Sequence, residues 1–209
     1  MDSGTWDDRY RTTDSVWSPT PNLFVKEYLA NLPVGRMVDV AGGEGRHALW
    51  FSQRGWEAEN FDFSAVAVGK SLERAAELSL GDRFHGHVAD ADSAEDFLLA
   101  PAHLVVIAYL QIPARELALA IANAARQLVA GGTLFGVWHA RENLTEGVGG
   151  PQDSRVLPTV PELSAAFSAA NLIVSEIGLR RREVTVSGVT REAIDVVVMS
   201  RAPEMVICG

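Results

Sequence analysis

The chain has 209 residues, 47% hydrophobic and 22% charged, which supports one globular core of ordinary domain size and is not the composition of a disordered chain. A formal net charge of -9, with Arg180-Arg181-Arg182 as the one tight basic run, opposes a phosphate backbone, so nucleic acid is not expected as a partner. The lone cysteine, Cys208, allows no intramolecular disulfide, no leader pattern opens the chain, and no apolar run nears the roughly 20 residues of a bilayer span, so the expectation is a soluble cytoplasmic protein without a membrane partner.

Residues 1–19 form an arm without sustained periodicity that carries Trp6, Tyr10 and Trp17, either as plugs at the edge of the core or as a lid over a ligand. Thr20 as N-cap and Pro21 at the first helical position open a helix with Phe24, Val25, Tyr28, Leu29 and Leu32 on one face, and Pro33 and Gly35 end it. Residues 37–41 read as a short buried strand. The turn containing Gly42, Gly43 and Gly45 follows, then a helix to about Arg54 that buries Ala48, Leu49 and Phe51 and is closed by Gly55. A second strand, 57–61, ends in Asp62. Ser64 caps the next helix, whose apolar positions are Val68, Leu72, Ala75, Ala76 and Leu78. A third strand, 84–89, runs into Asp90-Ala91-Asp92.

Residues 104–110 are a continuous apolar run of the kind found in a central parallel strand. Pro113 breaks it, and Leu117, Ile121, Ala124, Ala125 and Leu128 make a helix face up to Gly131-Gly132. Residues 133–138 form a fifth strand. The span 141–161 has no periodicity and five of its residues are glycine or proline before Pro161, which marks it as a substrate loop. A short helix over 161–170 buries Leu163, Ala166 and Phe167, and two strands, 173–186 and 193–200, join around Ser187-Gly188 as an antiparallel hairpin. The expected fold is α/β: a single doubly wound Rossmann-like domain spanning 1–209, with a mostly parallel seven-stranded sheet ending in an antiparallel hairpin and helices on both faces.

In such a sheet ligands collect at the carboxyl ends of the strands. Asp39, Asp62, Asp90 and the stretch from Tyr109 to Gln111 all fall there. Glycines 42, 43 and 45 let backbone approach a ligand closely, and Gly43 to Ala48 also satisfies the dinucleotide pattern G-x-G-x-x-G/A, so a nicotinamide-dependent oxidoreductase is an alternative. Asp62 suits ribose hydroxyls under either reading, since a carboxylate offers only acceptors. Asp39 suits a cationic amino group and opposes a pyrophosphate. His139, at the end of the fifth strand, is the candidate general base, against the reading that it merely caps a strand end. His85 and His87 share a strand face without a third ligand at metal-site spacing, so no metal is expected. His47 approaches a cofactor carboxylate or faces solvent, and His103 points away from the ligand edge.

With these residues in place the chain resembles the class I S-adenosylmethionine-dependent methyltransferases: Asp39-Val40-Ala41-Gly42-Gly43-Glu44-Gly45 looks like their first motif, with Ala41 where the first glycine usually stands. Within that family it is most similar to the small bacterial tellurite-resistance-type and thiopurine-methyltransferase-like branch, through Trp6, Tyr10 and Trp17, Pro21-Asn22, Glu44-Gly45-Arg46 and Asp62-Phe63-Ser64. The resemblance implies S-adenosylmethionine as cofactor. Asp39, Ala41, Gly42, Gly43, Gly45 and Arg46 would hold its methionine portion, Asp62 with Phe63 and Ser64 its ribose, and Asp90 with Ala91 its adenine edge. Tyr109 would sit beside the sulfonium and the acceptor, and Trp6 or Trp17 would cover the cofactor. The implied activity is in-line methyl transfer to a small-molecule acceptor, a thiol, an oxyanion or similar, by a monomer or homodimer; a cofactor-binding sensor without turnover is the competing reading.

Overall fold

The strand runs and helix faces alternate along the chain until the last two strands, and the computed structural model turns that alternation into one mixed sheet; it describes residues 3–16, 18–93, 100–186 and 188–204. The strands are β1 (Arg36–Val40), β2 (Glu57–Asp62), β3 (Phe84–Val88), β4 (Ala102–Ala108), β5 (Leu128–His139), β6 (Ile173–Val186) and β7 (Val189–Arg201). Among the described residues they form one seven-stranded sheet in the order β3-β2-β1-β4-β5-β7-β6. The first five strands pair in parallel, β7 runs antiparallel to β5, and β6 to β7. Strand order reverses between β1 and β4, which opens the crevice for a ligand at their carboxyl ends.

Helices cover both faces: α1 (Ser3–Arg11), α2 (Leu23–Leu29), α3 (Arg46–Ser52), α4 (Ala65–Glu77), α5 (Ala114–Arg126), α6 (Asn143–Glu146) and α7 (Val160–Ala169). Because side chains alternate along a strand, each central strand feeds two cores. Val38, Val105, Ile107 and Trp138 pack toward Leu117, Ile121 and Phe167 of α5 and α7. Met37, Leu104, Val106 and Val137 pack toward Phe24, Leu29 and Phe51 of α2 and α3. Asp39 shares the second face with Met37, and this sets it beside α3 instead of in the α5 core.

Several sequence expectations shift. The arm holds a helix, α1, whose Tyr10 is buried, where no period was visible. Asn22, not Thr20, caps α2: its side chain accepts from the N–H groups of Phe24 and Val25. Ser64 does cap α4 by accepting from Ala67 N, yet Leu72 is 43% exposed and Ala76 is exposed as well. The buried stripe runs through Ala67, Val68, Ser71 and Ala75, because the helix abuts the glycine turn: a Cβ on Gly45 would stand 3.0 Å from Ser71 Cβ, which leaves no room for a leucine there. Leu128 belongs to β5, paired with Ala102 ahead of a register shift. The span 141–161 is not irregular throughout. It contains α6 and the first turn of α7, the latter fixed by a capping box of Thr159 and Glu162. Among the described residues no helix is long and apolar enough to cross a membrane.

Candidate functional site

At the end of β1 the backbone turns sharply: Ala41 has φ 55°, Gly43 58° and Gly45 75°. Only glycine adopts this region at little cost, so the Ala41 methyl is held at a cost of about 1 kcal/mol. A Cβ on Gly42 would lie 2.1 Å from Asn60 Oδ1 and 2.7 Å from Asp39 Oδ2, so side-chain-free backbone is obligatory there. Asp62 closes the turn from β2, its Oδ2 accepting from Gly43 N at 2.8 Å and its Oδ1 from Ser64 N at 2.9 Å. Burial of that carboxyl pushes its pKa up to about 6, against the two N–H groups that favour its charge.

Asp39 is fully buried, and neither of its oxygens accepts a hydrogen bond. His47 of α3 lies beside it, Nδ1 at 3.4 Å from Asp39 Oδ2, while His47 Nε2 accepts from Asn22 N. That acceptance assigns the hydrogen to Nδ1, which faces the carboxylate. Arg46 follows the last glycine. Burial lowers its pKa, while Asp39 supports its charge.

The arm is fastened over this edge. Lys70 of α4 donates to the carbonyls of Tyr10 (2.6 Å) and Thr13 (2.5 Å), and Glu44 Oε2 accepts from Val16 N at 2.9 Å. Asp7 Oδ1 accepts from Ser64 Oγ at 2.5 Å, beside Asp62. Between the arm and helices α3 and α4 lies a cleft of about 590 Å³ lined by Arg11, Arg46, Trp50, Gln53, Lys70 and Arg74 among others; it lies outside the Asp39 and Asp62 edge, and the buried carboxylates define the site better than this groove does.

A second polar cluster gathers at the ends of β4, β5 and β7. Tyr109, with φ 60°, donates its hydroxyl to Asp195 Oδ2 at 2.9 Å and accepts from Asn22 Nδ2 at 2.8 Å. Arg182 Nε donates to the same Asp195 oxygen at 2.7 Å, and His139 Nδ1 stands 3.0 Å from Asp195 Oδ1, out of line for a hydrogen bond. The sheet register explains the meeting: His139 and Asp195 are cross-strand partners, and Arg182 is one diagonal step away, since Arg180 pairs with Asp195. Burial, then the Asp195 charge, raise the Tyr109 pKa well above the usual phenol range, so this hydroxyl keeps its proton. The loop after β5 closes over the cluster: Gln111 accepts from His139 N and donates to Val156 O, and Asn143 Oδ1 accepts from Ile194 N.

The structure thus brings together Asp39, Ala41, Gly42, Gly43, Gly45, Arg46, Asp62 and Ser64 on one side of the edge, with half-buried Phe63 next to them, and Tyr109 and His139 on the other, their rings 4.7 Å apart. Asp90 is exposed at the end of β3, Ala91 turns its methyl into the core, and the Ala91 carbonyl accepts from Asn123 Nδ2. Trp6 is half-buried on α1 against Tyr10, with the Arg9 guanidinium over its ring. Trp17 lies outside the described residues. The sequence did not point to Asp195, offered Arg182 only as part of a basic run, and left His47 open between two roles. Asn22 was noted only as part of a motif. His85 gains neighbours that its spacing did not reveal: Glu57, Glu59 and His85 place ligand atoms within 4.8 Å of one another. Both carboxylates, however, already pair with Arg36, and Glu59 also pairs with His87.

No protein-family model matches the sequence, and no curated protein does. Solved structures do. A structure from work on the conversion of a disulfide bond into a thioacetal group during echinomycin biosynthesis is similar over 97% of this chain and 93% of its own, at 17% identity and a TM-score of 0.76. TehB from Haemophilus influenzae is similar over 96% of this chain and 67% of its own, at 14% identity and 0.70. A SAM-dependent methyltransferase from Methanosarcina mazei is matched over its whole length and 89% of this chain, at 14% identity and 0.67. At such identities the likeness is one of fold: the chain has the fold of the class I S-adenosylmethionine-dependent methyltransferases.

Proposed function

We propose that the protein transfers a methyl group from S-adenosylmethionine to a small-molecule acceptor. The observation that carries this reading is Asp39, a fully buried carboxyl whose two oxygens accept no hydrogen bond, with His47 Nδ1 3.4 Å from one of them. A buried carboxyl without hydrogen bonds is costly, and a cation with several donors would complete it. The methionine ammonium of S-adenosylmethionine fits that requirement. Glycines 42 and 43 let backbone approach the cofactor, and Asp62 retains lone pairs for a ribose diol. Asp90 and Ala91 flank the adenine, and the arm, with Trp6, covers the cofactor.

When bound, the cofactor supplies an electrophilic methyl on a sulfonium. The protein's part is alignment and exclusion of water, worth roughly 7 to 11 kcal/mol of barrier in well-oriented systems. Tyr109, fixed by Asn22 and Asp195, forms a rigid wall between cofactor and acceptor, and His139 is the base for acceptors that need one. The loop 141–158 covers the acceptor side.

Isothermal calorimetry with S-adenosylmethionine and with its demethylated product tests the reading. Binding of both, weakened by Asp39→Asn, is expected. Absence of heat with either ligand at high micromolar concentration would sink it. A panel of thiols, phenols, amines and oxyanions with labelled cofactor then separates an enzyme from a sensor.

A further inference from the structure

Four groups converge from four elements beyond Asp39: Tyr109 after β4, His139 on β5, Arg182 on β6 and Asp195 on β7. The buried Asp195 takes both Tyr109 and Arg182 on Oδ2, which leaves Oδ1 facing His139 Nδ1 at 3.0 Å. A carboxylate only accepts, so the hydrogen of a neutral imidazole belongs on the nitrogen beside it, and Nε2 is the free acceptor of the ring. This is the arrangement of an oriented base, whose alignment tightens when substrate binds. Gly150 lies against the same ring edge. A Cβ there would stand 2.7 Å from His139 Cδ2 and 3.1 Å from Nε2, and its φ is +74°, so glycine is what lets the loop pass over the imidazole. Tyr109 does not compete for the role, because its hydroxyl is already donated and its proton is firmly held.

Resting on the methyl-transfer reading, we propose that His139, positioned by Asp195, takes the proton from a weakly acidic acceptor, a thiol or phenol, that enters neutral beneath the 141–158 loop. The X–H bond of the acceptor breaks, its proton passes to His139 Nε2, and the electron pair left on X is the one that takes the methyl. His139 then releases the proton to water, which carries off the positive charge lost at sulfur. An oxyanion that arrives ionised has no use for the base.

The test separates the two readings. Calorimetry with the demethylated product comes first, on the wild type and on His139→Gln; failure to bind in the wild type removes the methyl-transfer reading and says nothing against the base. The loaded proteins are then titrated with a series of nitrophenols and aryl thiols whose ionised forms absorb at longer wavelength. Wild type is expected to hold the ligand as its anion, and His139→Gln to lower the ionised fraction by about tenfold or more. Turnover of an alkyl thiol should fall roughly 100-fold in the same variant, while an acceptor already ionised in solution is little affected. Asp195→Asn, if folded, should lower the ionised fraction as well. Equal ionisation by wild type and His139→Gln overturns the proposal, as does failure of every member of the series to bind the loaded wild type at millimolar concentration.

Discussion

Asp39 and Asp195 are both fully buried carboxylates on the same edge of the sheet, yet one lacks every hydrogen bond and the other holds two donors on a single oxygen. On the proposed reading the first is a receptor, whose hydrogen bonds are completed when the cofactor ammonium arrives. The second is the hub of a framework, satisfied by Tyr109 and Arg182 before any ligand binds. The cofactor half of the site therefore stores an unfavourable electrostatic term, and the acceptor half stores rigidity. Substitutions in the two halves should act with opposite signs on the ligand-free protein.

The largest effect is expected from Asp195→Asn. It leaves Arg182 partly buried without its counter-charge and unties Tyr109, at a cost of roughly 3 to 5 kcal/mol of stability, readable as a lowered urea midpoint. A midpoint unchanged within error would show that the cluster is not a framework.

Asp62 gives the next effect through pH. Its carboxyl in the folded chain holds a proton up to about pH 6, against 3.8 for the ordinary group. Between those values the folded state binds more protons than the unfolded one, so this contribution is complete below about pH 4 and fades as pH rises through 6, by at most about 3 kcal/mol. Cofactor binding runs the other way, since ribose donors favour the ionised form. Affinity should therefore climb from pH 4 to pH 6 and then level off, and calorimetry in buffers of different ionisation heat should detect proton release over that window.

Asp39→Asn should break the symmetry between the two carboxylates. Losing the charge costs about 2 kcal/mol of cofactor binding, near 30-fold in affinity. The ligand-free variant should nevertheless unfold at an equal or higher urea concentration, because a buried carboxyl that accepts no hydrogen bond has been removed. Destabilisation comparable to Asp195→Asn would mean that Asp39 is also structural. The smallest effect belongs to Ala41→Gly, which relieves a left-handed alanine but adds freedom to the unfolded chain. A net gain of under about 1 kcal/mol is expected in thermal unfolding, with cofactor affinity equal or better.

How much of this was visible in the sequence depends on how far apart the partners lie along the chain. The glycine turn and the Ser64 cap are built from near neighbours, and the local pattern announced them, while Asp62, 19 residues from its Gly43 partner, was legible as the acidic end of β2. The seven strands and the terminal hairpin were also legible, because apolar runs of strand length separated by helix faces admit few arrangements. Where packing competes with pattern the sequence misled: Leu72 fits the apolar period of α4, but the glycine turn admits only Ser71 on the inner face. Thr20 followed by Pro21 looks like a helix start, yet Asn22 caps the helix while also reaching Tyr109.

Alone, then, the sequence determined the doubly wound sheet and the half of the candidate site built on the glycine turn, since both rest on period and on short-range backbone geometry. The tertiary structure decided the acceptor half. His139 and Asp195 meet because β5 and β7 pair antiparallel in one particular register, and Arg182 joins them because the hairpin turns at Gly188 and not a residue earlier or later. A register is fixed by the burial of whole strands, so no short stretch of sequence carries it.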